Sequence, residues 1–356
     1  MEHRDTSRKG SKLLYEYLDA GWTLNEPGTD PITFDNPSDK IAAHKDRIKL
    51  QTEKLEYNRW LRQDARNELL IEKIIDAISD MPKLEVPEGI GCKITNKEGI
   101  LLYGDEHFGT EYEILGLENE VINSYSPEIF ERRMWDLLFQ TKKIIEKEGI
   151  NTLNTYSMGD FTDGILRVSQ LMKLRYGVVE GTVKYADFIC NWLNELTKFV
   201  HVKFQMVAGN HSELRMLSQP KGTFENENMD LVVRAMIKTR LADNSNFEFI
   251  ENPTGKIFDN ILGFNVIGIH GETKSLDKTI KDFSFVYNKK ISYIFAGHMH
   301  HSKTETIGIN AECINVPSII GIDDYSMSLN KTSNPGATLL IFEENKGKII
   351  EYSIKL

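Results

Sequence analysis

The sequence predicts a layered α/β protein preceded by a helical N-terminal extension. Three observations carry that reading. From about Glu98 onward, short apolar runs of strand character alternate with amphipathic, helix-spaced segments. Five of the apolar runs end in a Gly or small residue followed by Asp, Asn or His. Residues 39–80 contain neither Pro nor Gly.

Taken in order, residues 1–38 read as an irregular or helical arm. Leu13, Leu14, Tyr17 and Leu18 share one side of a short helix, and Gly21, Pro27, Gly28, Pro31 and Pro37 break the pattern. Residues 39–80 read as one long helix. Its first half is polar nearly all round, as in a helix that bridges solvent or contacts a partner. Its second half carries Leu69, Leu70, Ile74, Ile75 and Ile78 at helical spacing, a face for docking. Between Lys40 and Lys73, nine Lys/Arg stand against six Asp/Glu. Arg59, Arg62 and Arg66 form a stripe beside Tyr57 and Trp60, which suits a phosphate backbone or a solvated face with ordinary ion pairs. This helix is the candidate surface for homo-oligomer assembly. Residues 81–97, with Pro82, Pro87, Gly89 and Gly91, read as a linker, and 98–356 as the main domain.

Within that domain residues 99–103 read as a strand. Ser126 and Pro127 start a helix that runs to about Lys147, with Ile129, Met134, Leu137, Leu138 and Ile144 inward. Residues 152–158, 202–207, 264–269 and 291–295 read as strands, and 178–200 as a helix. Residues 337–343 and 348–355 form a hairpin around Asn345-Lys346-Gly347.

Composition narrows the function. The 356 residues are 40% hydrophobic, enough for a sizeable core, and carry a net charge of −10. A chain that grips long nucleic acid along its whole surface should be basic, so any such contact here is local. Cys92, Cys190 and Cys313 form no CxxC pattern, and their odd number argues against a disulfide framework; a reducing cytoplasm is the simplest setting. The N-terminus lacks the apolar core of a signal peptide, and no stretch has the length and apolarity of a membrane span.

Six of nine histidines sit in the five terminal blocks: Gly104-Asp105-Glu106-His107, Gly159-Asp160-Phe161-Thr162-Asp163, Gly209-Asn210-His211, Ile269-His270-Gly271 and Gly297-His298-Met299-His300-His301. At an extended strand end, positions i and i+2 point the same way, so Asp105 and His107 reach one ion and Glu106 points away. His298 and His300 share that spacing. Asp160 follows a glycine that allows a sharp turn, and its two oxygens can bridge two metals. Asn210 adds a neutral oxygen, and His270 a further imidazole. Oxygen and imidazole donors without thiolate suit Mn, with Fe or Zn as alternatives.

Together these blocks resemble the five signatures of the calcineurin-like metallophosphoesterases, DxH, GDxxD, GNH, H and GHxH, in that order. The resemblance spans residues 98–356. It implies a metallophosphoesterase β-sandwich flanked by helices, holding two divalent metal ions. Asp105, His107, Asp160 and His300 would hold one, and Asp160, Asn210, His270 and His298 the other. A hydroxide between the metals would attack phosphorus. His211 would serve as general acid, oriented by Asp163. Asp105-Glu106-His107-Phe108-Gly109 is also similar to the start of the double-strand-break-repair exonucleases. The order of long helix then catalytic domain resembles metallophosphoesterases that phages encode. Two departures stand out. Gly164 occupies the place of the phosphate-gripping Arg of the protein phosphatases, and Ser212 follows GNH where the exonucleases usually carry Asp.

The leading expectation is a phosphodiesterase or nuclease acting on DNA. The alternatives are a phosphatase or phosphodiesterase of small nucleotides or metabolites, and a scaffold or regulatory protein whose metal-binding phosphoesterase fold only binds partners. Outside the set, His3 and His44 read as surface residues and His201 as a strand or loop histidine. His301, Arg167, Arg175 and Tyr325 are weighed as cleft residues against solvated or turn positions.

Overall fold

A computed structural model describes residues 41–42, 44–55, 57–58, 72, 75–76, 78, 81–90, 95–164, 170, 172–213, 228–328 and 330–356. The chain divides into two compact units, Met1–Glu68 and Leu69–Leu356. In the first, the described residues between 41 and 58 are helical. Ile41, Ile48 and Leu55 recur there at seven-residue intervals and are exposed. The N-terminal arm, the Arg59, Arg62 and Arg66 stripe with Trp60, and Leu69, Leu70 and Ile74 lie outside the described residues.

The second unit runs Lys97–Tyr103 (β1), Tyr112–Leu115 (β2), Val121–Tyr125 (β3), Pro127–Glu148 (α1), Thr152–Ser157 (β4), Val178–Leu196 (α2), His201–Met206 (β5), Asp230–Arg240 (α3), Phe247–Phe249 (β6), Ile257–Ile261 (β7), Phe264–Ile269 (β8), Leu276–Val286 (α4), Tyr293–Ala296 (β9), Lys303–Gly308 (β10), Ala311–Asn315 (β11), Asp324–Ser328 (α5), Gly336–Glu343 (β12) and Gly347–Lys355 (β13). One six-stranded sheet has the order β13-β12-β1-β4-β5-β6, and a five-stranded sheet the order β10-β11-β9-β8-β7. In the first sheet β1, β4, β5 and β6 are parallel neighbours; in the second, β8, β9 and β11 are. Parallel strands send their carboxyl ends to one edge, and there the ligand-type blocks begin.

Strand alternation builds the layers. Ile100 and Leu102 of β1, with Tyr156 and Met158, meet Ile257, Val266, Phe295 and Ile314 of the other sheet in one core. Leu101 and Tyr103, one residue out of phase, face Phe130, Met134 and Leu137 of α1 and Trp192 and Leu193 of α2 in a second. Ile280 of α4 covers the outer face of the five-stranded sheet through Ile267 and Ile294. The fold is therefore the expected α/β sandwich with helices on its outer faces. Strands buried on both faces explain the nearly continuous apolar runs of the sequence.

Helix α1 starts as its sequence dictates. The Ser126 hydroxyl accepts the Ile129 N–H at 3.3 Å, Pro127 opens the first turn, and Gly149 closes it at φ 68°. Such a cap contributes about 1 kcal/mol. Helix α2 stops at Leu196, short of the expected residue 200. Asn244 donates to Asn194 Oδ1 and Thr197 Oγ1, both at 2.9 Å, and fixes the turn that delivers His201 to β5. The segment whose Pro and Gly suggested a linker is irregular yet tied down. Asn194 and Asn246 donate to the carbonyls of Glu85 and Glu88 at 2.8 and 3.0 Å, and Ile78 joins the helix-side core. The β2–β3 hairpin, α3, α4, β7 and the β10–β11 pair had no counterpart in the sequence reading.

Candidate metal centre

Three of the five ligand-type blocks leave their strand ends with ligand residues in unusual backbone. Asp105 and His107 have φ of 50° and 43°, Asp160 55°, and His298 and His300 65° and 52°. The alternating side chains thus share a side because each sits in the left-handed region, not because the chain stays extended. Non-glycine residues pay for this conformation, and such strain concentrates at working sites. Glu106 does point away. Its carboxylate accepts the Tyr185 hydroxyl at 2.9 Å in the helix-side core, where burial pushes its pKa up to about 8.

Glycines set the spacing between blocks. A Cβ on Gly159 would lie 3.0 Å from Gly209 Cα and 2.8 Å from His270 Nδ1. A Cβ on Gly209 would lie 2.0 Å from Asp160 Oδ1. The ends of β4 and β5 therefore approach as only two glycines allow, which sets Asp160 beside Asn210 and His211.

Three groups of donors converge among the described residues. In the first, Asp105, His107 and His300 present ligand atoms within 4.8 Å of one another; in the second, Asp160, His270 and His298 do the same; the third joins His107 to Asp163 and His211. His107 Nε2 and His300 Nε2 face each other at 3.3 Å, and His300 Nε2 lies 3.8 Å from Asp105 Oδ1. His270 Nε2 lies 3.0 Å from Asp160 Oδ2 and 3.0 Å from Asn210 Oδ1. The other nitrogen of His270 donates to the Met158 carbonyl at 2.8 Å, which aims Nε2 at both oxygens. His107 Nδ1 and His300 Nδ1 face carboxylates instead, Asp163 at 3.7 Å and Asp323 at 3.4 Å. An imidazole anchored through one nitrogen, with the other aimed at a cluster of oxygen and nitrogen donors, is the arrangement metal ligands adopt. The donor set, oxygen and imidazole throughout, fits divalent cations. Asp105 also accepts the His298 N–H at 2.8 Å, tying the β1 end to the β9 end.

His211 and Asp163 stand beside the donors. His211 Nδ1 lies 2.5 Å from Asp163 Oδ1, and its backbone N–H donates to Asp160 Oδ1 at 2.8 Å. Burial works against the imidazolium, but Asp160 and Asp163 outweigh it and raise the His211 pKa. Burial likewise opposes the Asp163 carboxylate, yet hydrogen bonds from His107 and His211 hold its pKa well below the usual range.

Sequence reasoning missed Asp323 and Gln170, and weighed Tyr325 only against a turn position. Asp323 backs His300 and is itself fixed by the Ser326 N–H at 2.8 Å. Gln170 lies 3.3 Å from His211 Nδ1. Tyr325, on α5, places its ring 6.0 Å from that of His298 and 5.8 Å from that of His300. None of these carries a ligand-like spacing, and none follows an apolar run of strand character. Arg175 is committed to Glu128 at 2.7 Å, and Arg167 lies outside the described residues. His44 is exposed, and His201 opens β5, remote from the blocks. A Cβ on Gly164 would sit 2.0 Å from the His211 carbonyl oxygen, so this backbone has no room for the Arg of the protein phosphatases. Ser212 donates to the Gly209 carbonyl at 3.1 Å and closes the turn that presents Asn210.

Sandwich and site together define a metallophosphoesterase-like protein with candidate divalent-metal ligands. More particularly, the chain belongs to the family of the SPbeta prophage-derived uncharacterized protein YonJ of Bacillus subtilis (strain 168). The two are 32% identical over 322 residues, covering 88% of this chain and 78% of that protein. Residues 40–81 match the YonJ coiled-coil domain. Among solved structures, the chain is similar to zinc-complexed Vps29 from Entamoeba histolytica, at 13% identity over 72% of this chain and 92% of that one, with a TM-score of 0.34. It is also similar to a dimetal phosphatase from Danio rerio, at 10% identity over 72% and 98%, with a TM-score of 0.39. No described helix is long and apolar enough to cross a membrane.

Proposed function

We propose that the chain is a phosphodiesterase, dependent on two divalent metal ions, that cleaves DNA in a cytoplasmic, phage-related setting. The observation that carries the proposal is the convergence of the first two donor groups and the His211–Asp163 pair on one cleft of about 550 Å³. Asp105, His107, Asp160 and His300 would hold one ion, and Asp160, Asn210, His270 and His298 the other, with Mn favoured over Fe or Zn. Bound there, the ions would supply a nucleophile from water and neutralise phosphate charge.

The chain's own residues supply the proton. Asp163 holds Nδ1 of His211, so the opposite nitrogen is free to face the cleft. The carboxylates of Asp160 and Asp163 raise the His211 pKa, and Nε2 is the atom placed to give a proton to the departing ester oxygen. Asp163 stays ionised and stabilises the imidazolium until that transfer. A diester is favoured over a monoester because the cleft is poor in cations. Among its described lining residues, the cationic side chain besides the histidines is Lys173, and Asp324 already holds it at 2.5 Å. A monoester dianion would want the grip that Gly164 cannot give.

With Mn, the chain should turn over bis(p-nitrophenyl) phosphate faster than p-nitrophenyl phosphate and degrade DNA. Monoester-only turnover would favour the small-metabolite alternative, and no turnover with two bound ions the scaffold. His211→Ala should lower kcat by about 10²–10⁴-fold while metal still raises the melting midpoint. Loss of that metal effect would show that His211 is a ligand instead.

The exposed repeat of Ile41, Ile48 and Leu55 supports self-association through residues 39–80. Deleting residues 1–80 is expected to reduce the mass per particle, measured by light scattering, to that of one chain. An unchanged number of chains per particle would remove this assignment.

A further inference from the structure

A second cavity, of about 280 Å³, adjoins the loop that carries His298 and His300. Its wall includes Met299 and His301, the residues that alternate with those two histidines, and Gly271, which follows His270. Lys274, Lys303 and Lys331 also line it. Lys303 is paired with Glu305 at 2.6 Å, whereas Lys274 and Lys331 form no ion pair among the described residues. Asp277 and Glu305 line the hollow as well, but Glu305 is taken by Lys303 and Asp277 lies 3.8 Å from Lys281, so the Lys274 and Lys331 ammonium groups, in a chain of net charge −10, repel each other without a carboxylate of their own. An anion removes the repulsion. Lysine binds phosphate as a compact point charge without demanding a planar partner, and the hollow has room for a phosphate with part of its sugar.

We propose that this cavity is a subsite for a second phosphate group of the substrate, while the first is cleaved at the neighbouring centre. The assignment rests on the phosphoesterase reading and narrows it. The substrate class carries at least two phosphates, as in a nucleic-acid strand or a nucleoside polyphosphate.

The double variant Lys274→Ala/Lys331→Ala tests it, both side chains being solvent-accessible. For the Mn-loaded chain, the KM for a 5′-phosphorylated thymidine dinucleotide should rise about tenfold more than that for bis(p-nitrophenyl) phosphate, which has a single phosphate. Equal shifts for the two substrates would overturn the subsite. Running a short oligothymidylate beside thymidine triphosphate separates the sources: the larger relative loss identifies the one the cavity serves. A second readout does not need turnover. Calorimetry on the chelator-treated full chain should show inorganic phosphate binding that the double variant weakens about tenfold. No binding by the unmodified chain, or binding the double variant leaves unaltered, would overturn the subsite. If the unmodified chain cleaves no phosphate ester but binds phosphate through these lysines, the cavity stands and the phosphoesterase reading falls.

Discussion

Replacing Asp160 with alanine is expected to lower metal-dependent diester turnover about 10³-fold or more, since the loss removes several kcal/mol of charge stabilisation. Asp160 is 1% exposed and touches both halves of the site: Oδ2 lies 3.0 Å from His270 Nε2, and Oδ1 accepts the His211 N–H at 2.8 Å. Burial alone would raise its pKa, but His270 and His211 more than compensate and hold it well below the ordinary value, so it is a carboxylate when the site works. Without it the second donor group loses its anion, and the backbone turn presenting His211 loses its acceptor. The metal-free fold should survive with a lowered melting midpoint, because His270 and His211 can give up their protons once the carboxylate is gone, while the His211 N–H loses its acceptor. Calorimetric melting separates the effects. The unmodified chain and His211→Ala should gain stability with added Mn, and Asp160→Ala should gain little. An Asp160→Ala protein that keeps both the Mn-induced shift and its turnover would show that Asp160 is a bystander.

Gly209→Ala is expected to fail differently, through geometry. The new methyl would lie 2.0 Å from Asp160 Oδ1 and 2.2 Å from the Asp160 backbone nitrogen. The backbone nitrogen cannot swing aside as a flexible side chain would, so the β4 and β5 ends must separate. Overpacking of this kind costs about 1–3 kcal/mol. The melting midpoint should fall even without metal, and turnover should drop because Asp160, Asn210 and His211 no longer share one register. An alanine variant with unchanged midpoint and kcat would mean that the close approach of the two strand ends is not required.

These glycines also show why so much of the site was legible. A Gly before Asp160, Asn210 and His298 marks a chain that leaves a strand through a tight passage, and the apolar run before it marks the strand. Sequence order alone therefore brought the donors to one edge of the sandwich. The reason given for Asp105 and His107 acting together was different from the one found: left-handed backbone at alternate residues replaces an extended strand end, and no side-chain pattern announces positive φ at Asp or His. Asp323, Gln170 and the Met158 carbonyl were illegible because second contacts need only reach, not spacing. In the fold, the buried strands read clearly from their apolar runs. The edge strand β10, Lys303–Gly308, did not; it is polar and largely exposed, so burial left no period in its sequence.

The decisive measurement is anomalous diffraction from crystals of the Mn-loaded chain, which counts and places the ions at once. Two peaks are predicted, one among Asp105, His107 and His300 and one among Asn210, His270 and His298, with Asp160 between them. A single peak, or peaks away from Asp160, would contradict the two-metal site and the hydrolysis built on it.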